Sequence, residues 1–331
     1  MRLFVSGSAG AAGMSVERVI AIGGSIGALA VLKQVLPQIP ANLPAPIFVA
    51  LHVGSQGRDL LADIFDQCAA LPASTAVEGE PVRNGRIYVA PADRHLLIID
   101  GVIRLGSGPR ENMARPAIDA LFRSVAIQYG AGSCREGGAG LLAIKQCGRL
   151  TVVQDPLSAT APEMPLNALE VSDIDHRVAP DDIAALITSL VHEVTAPNCP
   201  IPRALALEVD IALGQRSCLS DTIEDIADIG PLSCSACGGT LSQIKEAPLR
   251  YRCQVGHAYS AGAFSAALEG SLEEAVRVAL RIVEERAVLL ERMARDAETA
   301  GRARTGGDFA GKAAELRSSA KVLRSAALNF L

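Results

Sequence analysis

The stretch that decides the fold is RVIAIGGSIGALAVLKQVL, residues 18–36. Val19-Ile20-Ala21-Ile22 is a short apolar, largely β-branched run, Gly23-Gly24-Ser25-Ile26-Gly27 interrupts it, and residues 28–36 continue with helical periodicity. The pattern predicts strand, tight turn, helix. The turn matches G-x-S-x-G, in which small residues hold a serine on a sharp strand-to-helix corner, its hydroxyl near helix-opening N–H groups. A second strand, Ile47-Phe48-Val49-Ala50-Leu51, leads into His52. If the two strands are parallel neighbours, Ser25 and His52 stand at carboxyl ends of one sheet, where open α/β sheets place their sites. Ser25 is thus a candidate nucleophile and His52 its base. A dinucleotide fingerprint is excluded, because Ser25 and Ala28 stand where it needs glycines. The order serine then histidine also departs from that of α/β-hydrolases.

Further blocks strengthen this reading. EGEPVRNGRIYVAPADRHLLI (78–98), RPAIDALFRS (115–124) and TVVQDPLSATAPEMPLNAL (151–169), together with residues 18–53, resemble the catalytic domain of the chemotaxis protein-glutamate methylesterase (CheB) family over about residues 16–193. The resemblance implies a doubly wound α/β domain with a mostly parallel sheet. It also implies attack by Ser25 on a glutamyl methyl ester of a chemoreceptor, proton transfer by His52, and a later acid that orients the histidine. No cofactor is implied for catalysis.

One departure is large. After the helix predicted from Ile118, Leu121, Phe122 and Val125, a strand is due, yet GAGSCREG (130–137) holds no large apolar residue, and GAGLLAIKQCG (138–148) already begins another helix. Parallel βαβ construction requires alternation. Relatives carry an apolar strand and an Asp-Gly turn at this point, so one family strand is expected to be deleted near 130–137. Glu136-Gly137 occupies the Asp-Gly position, which makes Glu136 the candidate third catalytic residue. Asp155 is the other acid at a strand end; its plainer reading is a turn starter before Pro156. Loss of the strand leaves two sheet edges that must pair, shift or meet solvent. A catalytically impaired homologue that binds a receptor or signalling partner is therefore the alternative function.

Beyond the first domain, Cys234-Ser-Ala-Cys237 and Cys253-Gln-Val-Gly-His257 form two close ligand pairs fifteen residues apart. This spacing suits a tetrahedral, fully protein-ligated structural zinc held by Cys234, Cys237, Cys253 and His257. Ser271 to Glu274 fits a capping box, and Gly306-Gly307 is expected to break the apolar-striped stretch that follows into a helical hairpin. The expected organisation is a disordered extension over 1–14, a methylesterase-type domain over 15–195, a linker over 196–232, a zinc knuckle over 233–262 and a helical hairpin over 263–331. The formal charge of −5 gives no electrostatic footprint for nucleic acid. No apolar run of membrane-spanning length or secretion signal is present, and the eight cysteines read as cytosolic thiols and metal ligands. A cytoplasmic protein acting on a methylated chemoreceptor or similar partner is the expectation.

Overall fold

The computed structural model describes residues 1–7, 16–52, 60–129, 140–192, 203–216, 223, 226–245 and 248–328. In chain order the first unit contains β1 (Arg2–Gly7), β2 (Arg18–Gly24), α1 (Ala28–Val35), β3 (Ile47–Leu51), α2 (Leu60–Cys68), β4 (Ala73–Thr75), β5 (Ile87–Val89), β6 (His95–Ile99) and β7 (Val102–Gly106). It continues with α3 (Ile118–Tyr129), α4 (Gly140–Gln146), β8 (Leu150–Gln154), α5 (Glu163–Val171), β9 (His176–Val178), α6 (Pro180–Leu190) and α7 (Arg203–Leu213). The strands β10 (Ala227–Ser233), β11 (Thr240–Ile244), β12 (Arg250–Cys253) and β13 (Ala258–Ser260) complete it. Two long helices follow, α8 (Ala261–Thr299) and α9 (Ala303–Leu328). Residues 1–262 form one compact unit and residues 263–331 a second.

Among the described residues the central sheet has seven strands in the order β4-β5-β3-β2-β1-β8-β9. The pairs β4–β5, β5–β3, β3–β2 and β8–β9 are parallel. Alternation along the strands sends side chains to two cores, as a sheet covered on both faces requires. Ile20, Ile22, Ile47 and Val49 join α1 and α6 on one side, while Val19, Ala21, Phe48 and Ala50 join α3 and α4 on the other. The α/β class and the mostly parallel sheet stand as expected.

Continuity between β2 and β8 comes from an unexpected place. β1 lies between β2 and β8 and runs antiparallel to both, with Leu3 opposite Ile22 on one side and Val152 on the other. The expectation of a disordered extension over 1–14 is therefore corrected for residues 2–7; the remainder of that span is outside the described residues. The cause is the one anticipated for the bare edges. Two strands with unpaired N–H and C=O groups bind any strand-competent segment within reach, and the buried Leu3 restores a missing part of the core.

Two further boundaries change. The expected linker over 196–232 contains α7, whose Leu205, Val209 and Ala212 are buried, the last two in a core with Leu97, Ala117 and Ala120. Pro197, Pro200 and Pro202 come before the helix in sequence and leave its apolar stripe intact. The four-stranded antiparallel ribbon β10-β11-β12-β13 begins at Ala227, ahead of the expected start at 233, and belongs to the first compact unit. β6 and β7 form a hairpin across Asp100-Gly101, with both residues at positive φ.

The second unit holds α8 and α9, and the chain does not turn at the expected break. Ser271 lies inside α8, where its hydroxyl donates to the Ala267 carbonyl, so the capping box is not used. The chain turns at 300–302 and Gly306 sits within α9. A Cβ at Gly306 would lie 2.9 Å from Glu298 Cγ, so this glycine permits close helix approach and breaks nothing.

Candidate active site and metal centre

β2 and β3 pair in parallel with Gly24 opposite Leu51, and the His52 N–H donates to the Gly24 carbonyl at 3.0 Å. Ser25 and His52 therefore leave adjacent strands side by side at one carboxyl edge. The serine turn is shaped by its glycines. A Cβ on Gly23 would lie 2.2 Å from Ile118 Cγ2, so α3 seats its first residue directly on the strand end. Gly27 has φ of 82°, and a Cβ there would meet Thr160 Oγ1 at 2.8 Å. The Ala28 N–H donates to the Ser25 carbonyl at 3.0 Å and opens α1. Ile26, beside the serine, is exposed.

Burial pushes the His52 imidazole below its ordinary value; the charge of Asp119 pulls it back up and that of Arg2 drives it down. Burial thus favours the neutral imidazole, the form a general base needs. Glu136 lies outside the described residues. Asp155 has the turn role: it accepts the Leu157 N–H at 3.0 Å and pairs with Arg177 at 2.7 Å.

Sequence reasoning did not single out Asp119, Asn112 or Arg2. Asp119 is in the first turn of α3, accepting from Asn112 Nδ2 and from the Gly140 N–H, each at 3.2 Å. Arg2 stands opposite Gly23 because β1 runs antiparallel, which brings its first residue to the carboxyl edge of β2. Its Nη2 donates to the Met164 carbonyl at 3.0 Å, while its buried Nε has no hydrogen-bond partner among the described residues. The available signal for Asp119 was an acid just after the Arg-Pro helix opening; for Arg2 there was none.

The ribbon gathers its four predicted ligands. Cys234 Sγ, Cys237 Sγ, Cys253 Sγ and a His257 ring nitrogen lie within 4.8 Å of one another. Cys237 Sγ to Cys253 Sγ is 3.7 Å, Cys234 Sγ to His257 Nδ1 is 3.8 Å, and Cys253 Sγ to His257 Nδ1 is 3.5 Å. A tetrahedron with ligands about 2.3 Å from its centre has edges of about 3.8 Å, so the group fits a zinc-sized ion. Burial opposes ionisation of Cys234, but the Tyr259 hydroxyl at 3.3 Å and the N–H groups of Ala236 and Cys237 outweigh it and lower that thiol's pKa. Such donors around a sulfur are what a metal thiolate uses.

The ribbon is bound to the rest of its unit by buried charge. Glu111 accepts Arg123 Nη2 at 2.6 and 2.5 Å and Arg252 Nη2 at 3.2 Å, while Glu208 of α7 accepts Arg252 at 2.9 Å and Arg250 at 2.9 Å. His95 fixes the same loop, its Nε2 facing the Pro109 carbonyl at 3.0 Å and its Nδ1 accepting from the Ala117 N–H at 3.1 Å.

Residues of the first unit are similar in sequence to known proteins. The family model described as CheB methylesterase matches residues 20–187. A protein of Leptospira interrogans, provisionally named protein-glutamate methylesterase/protein-glutamine glutaminase, is 34% identical over 180 residues, covering 52% of this chain and 93% of that protein. A protein-glutamate methylesterase/protein-glutamine glutaminase of Anaeromyxobacter dehalogenans is 35% identical over 180 residues, 52% of this chain and 53% of its own length. The crystal structure of the Thermotoga maritima CheB methylesterase catalytic domain is 28% identical and aligns over 52% of this chain and 97% of that domain, with a TM-score of 0.48.

Proposed function

The chain belongs to the CheB methylesterase family, and from that premise we propose that it hydrolyses glutamate methyl esters on a chemoreceptor-like protein in chemotactic adaptation. Ser25 Oγ attacks the ester carbonyl as His52 accepts its proton. The tetrahedral species collapses, the bond to the methoxy group breaks, and His52 returns the proton so that methanol leaves. Water, deprotonated by the same imidazole, then attacks the acyl-serine and releases the glutamate side chain. The observation that carries the reading is the parallel register of β2 and β3, which sets Ser25 and His52 side by side on one sheet edge with the His52 N–H bound to the Gly24 carbonyl. Glu136 is one candidate for the third member, by its match to the family's Asp-Gly position. Zinc is proposed at Cys234, Cys237, Cys253 and His257 in a structural role, since four protein ligands leave no open position for chemistry.

The test is methanol release from a methylated receptor fragment. Ser25→Ala is expected to remove all but background release, a loss on the order of a million-fold for a nucleophile of this kind, and His52→Ala to do nearly the same. No Ser25-dependent release from a folded, metal-loaded sample would instead support the alternative, a receptor- or partner-binding homologue that has lost its chemistry.

A further inference from the structure

Three segments meet at the Gly23-Gly24 corner. β1 delivers Arg2 opposite Gly23, β3 delivers His52 onto the Gly24 carbonyl, and α3 seats Ile118 on Gly23 with Asp119 next in sequence. Asp119 is held from two sides. Its Oδ1 receives the Gly140 N–H at the start of α4, and its Oδ2 receives Asn112 Nδ2. Asn112 is itself fixed by the ribbon: its N–H donates to the Ala258 carbonyl at 2.7 Å, and its Oδ1 accepts the Ser260 N–H at 2.8 Å. Asn112 and Met113 both have positive φ, 48° and 63°, in a turn closed between Glu111 and Ala114. Methionine rarely adopts that conformation. Such a turn persists where surrounding contacts over-determine it, as those of Asn112 and the buried Glu111 do here.

We propose that Asp119 is the carboxylate that serves His52 in this chain, with Asn112, anchored on the ribbon, holding it in place. The assignment rests on the Ser25–His52 reading and adds to it an acid from α3 in place of one from the deleted strand. In proton transfer from Ser25 the imidazole becomes cationic, and a fixed negative charge at the same edge stabilises that cation. Asp119 touches no substrate and is a positioning and electrostatic residue. Among the described residues, the charges acting on His52 are Asp119 from α3, which favours the protonated ring, and Arg2 from β1, which opposes it.

The experiment follows the His52 imidazole by NMR in the full, metal-loaded chain with labelled histidine, the resonance being identified by its loss in His52→Gln. Asp119→Asn is expected to lower the titration midpoint by about half to one pH unit, Asp119→Glu to keep it, and Arg2→Gln to raise it. Glu136→Gln is expected to leave it in place. In parallel, Asp119→Asn should reduce kcat for methanol release about ten- to a hundred-fold and move the acid limb of the profile downward with the midpoint. An unchanged midpoint in Asp119→Asn, or a larger shift in Glu136→Gln, overturns the assignment. The titration needs no turnover, so it decides the role of Asp119 even if Ser25-dependent methanol release fails.

Discussion

Glu111 shows how much a single residue can carry here. Its carboxylate is buried, and burial alone would raise its pKa; Arg123 and Arg252 outweigh that cost and hold it well below its ordinary value of 4.5. Glu208 is lowered likewise against the same opposition, with Arg250 foremost. A carboxyl whose folded pKa is depressed contributes stability above its unfolded pKa and loses it as pH falls through the folded one. Thermal stability should therefore drop as the solution is acidified below about 4.5. Glu111→Gln should cost about 3–5 kcal/mol near neutrality, because it strands buried guanidinium groups, and should flatten the acid dependence. Urea denaturation and thermal melts at several pH values measure both, and an unaltered acid slope in the variant would remove Glu111 from this role. The sequence showed Ser25 and His52 because local turn chemistry marks them. It did not show Glu111, Asn112 or Asp119, whose partners Arg252, Ser260 and Gly140 are distant along the chain.

At the scale of elements, the strands and helices with strong local periodicity stood where the pattern placed them, β2, β3, α1 and α3 among them. β1 and α7 did not, for different reasons. β1 has a three-residue apolar run and becomes a strand only because β2 and β8 offer it two edges, a non-local condition. α7 has an adequate stripe, but the prolines before it and the acidic residues after it resemble a connector. The ribbon carries its own prediction. Arg250 and Arg252, which pair with Glu208 and Glu111, are on β12, which ends in the candidate ligand Cys253, so removing an ion from the proposed site is expected to loosen that strand. Chelation is expected to lower the melting temperature of the full chain by at least about 5 °C, with recovery on adding zinc back. An equal melting temperature with and without chelator would show that the four-residue cluster holds no structural ion.

For the whole molecule, the sheet owes its continuity between β2 and β8 to a segment near the start of the sequence, β1, which pairs with both. In the seven-stranded order β1 is fifth, between β2 and β8, so β8 and β9 join the rest of the sheet only through it. The same insertion sets Arg2 at the edge shared by Ser25 and His52. Among the described residues no helix is long and apolar enough to cross a membrane. The helical hairpin of residues 263–331 is a separate compact unit with its own seam of buried alanines, Ala287, Ala294, Ala297, Ala313 and Ala320, and its own Arg317–Glu291 pair at 2.9 Å. The most direct measurement is native-state hydrogen exchange resolved to single amides. The account predicts that amides of Leu3 and Val5 are protected to the same degree as those of Ile20 and Ile22, opening only with global unfolding. Exchange of Leu3 and Val5 at unfolded-chain rates, with Ile20, Ile22 and Val152 still protected, would contradict it.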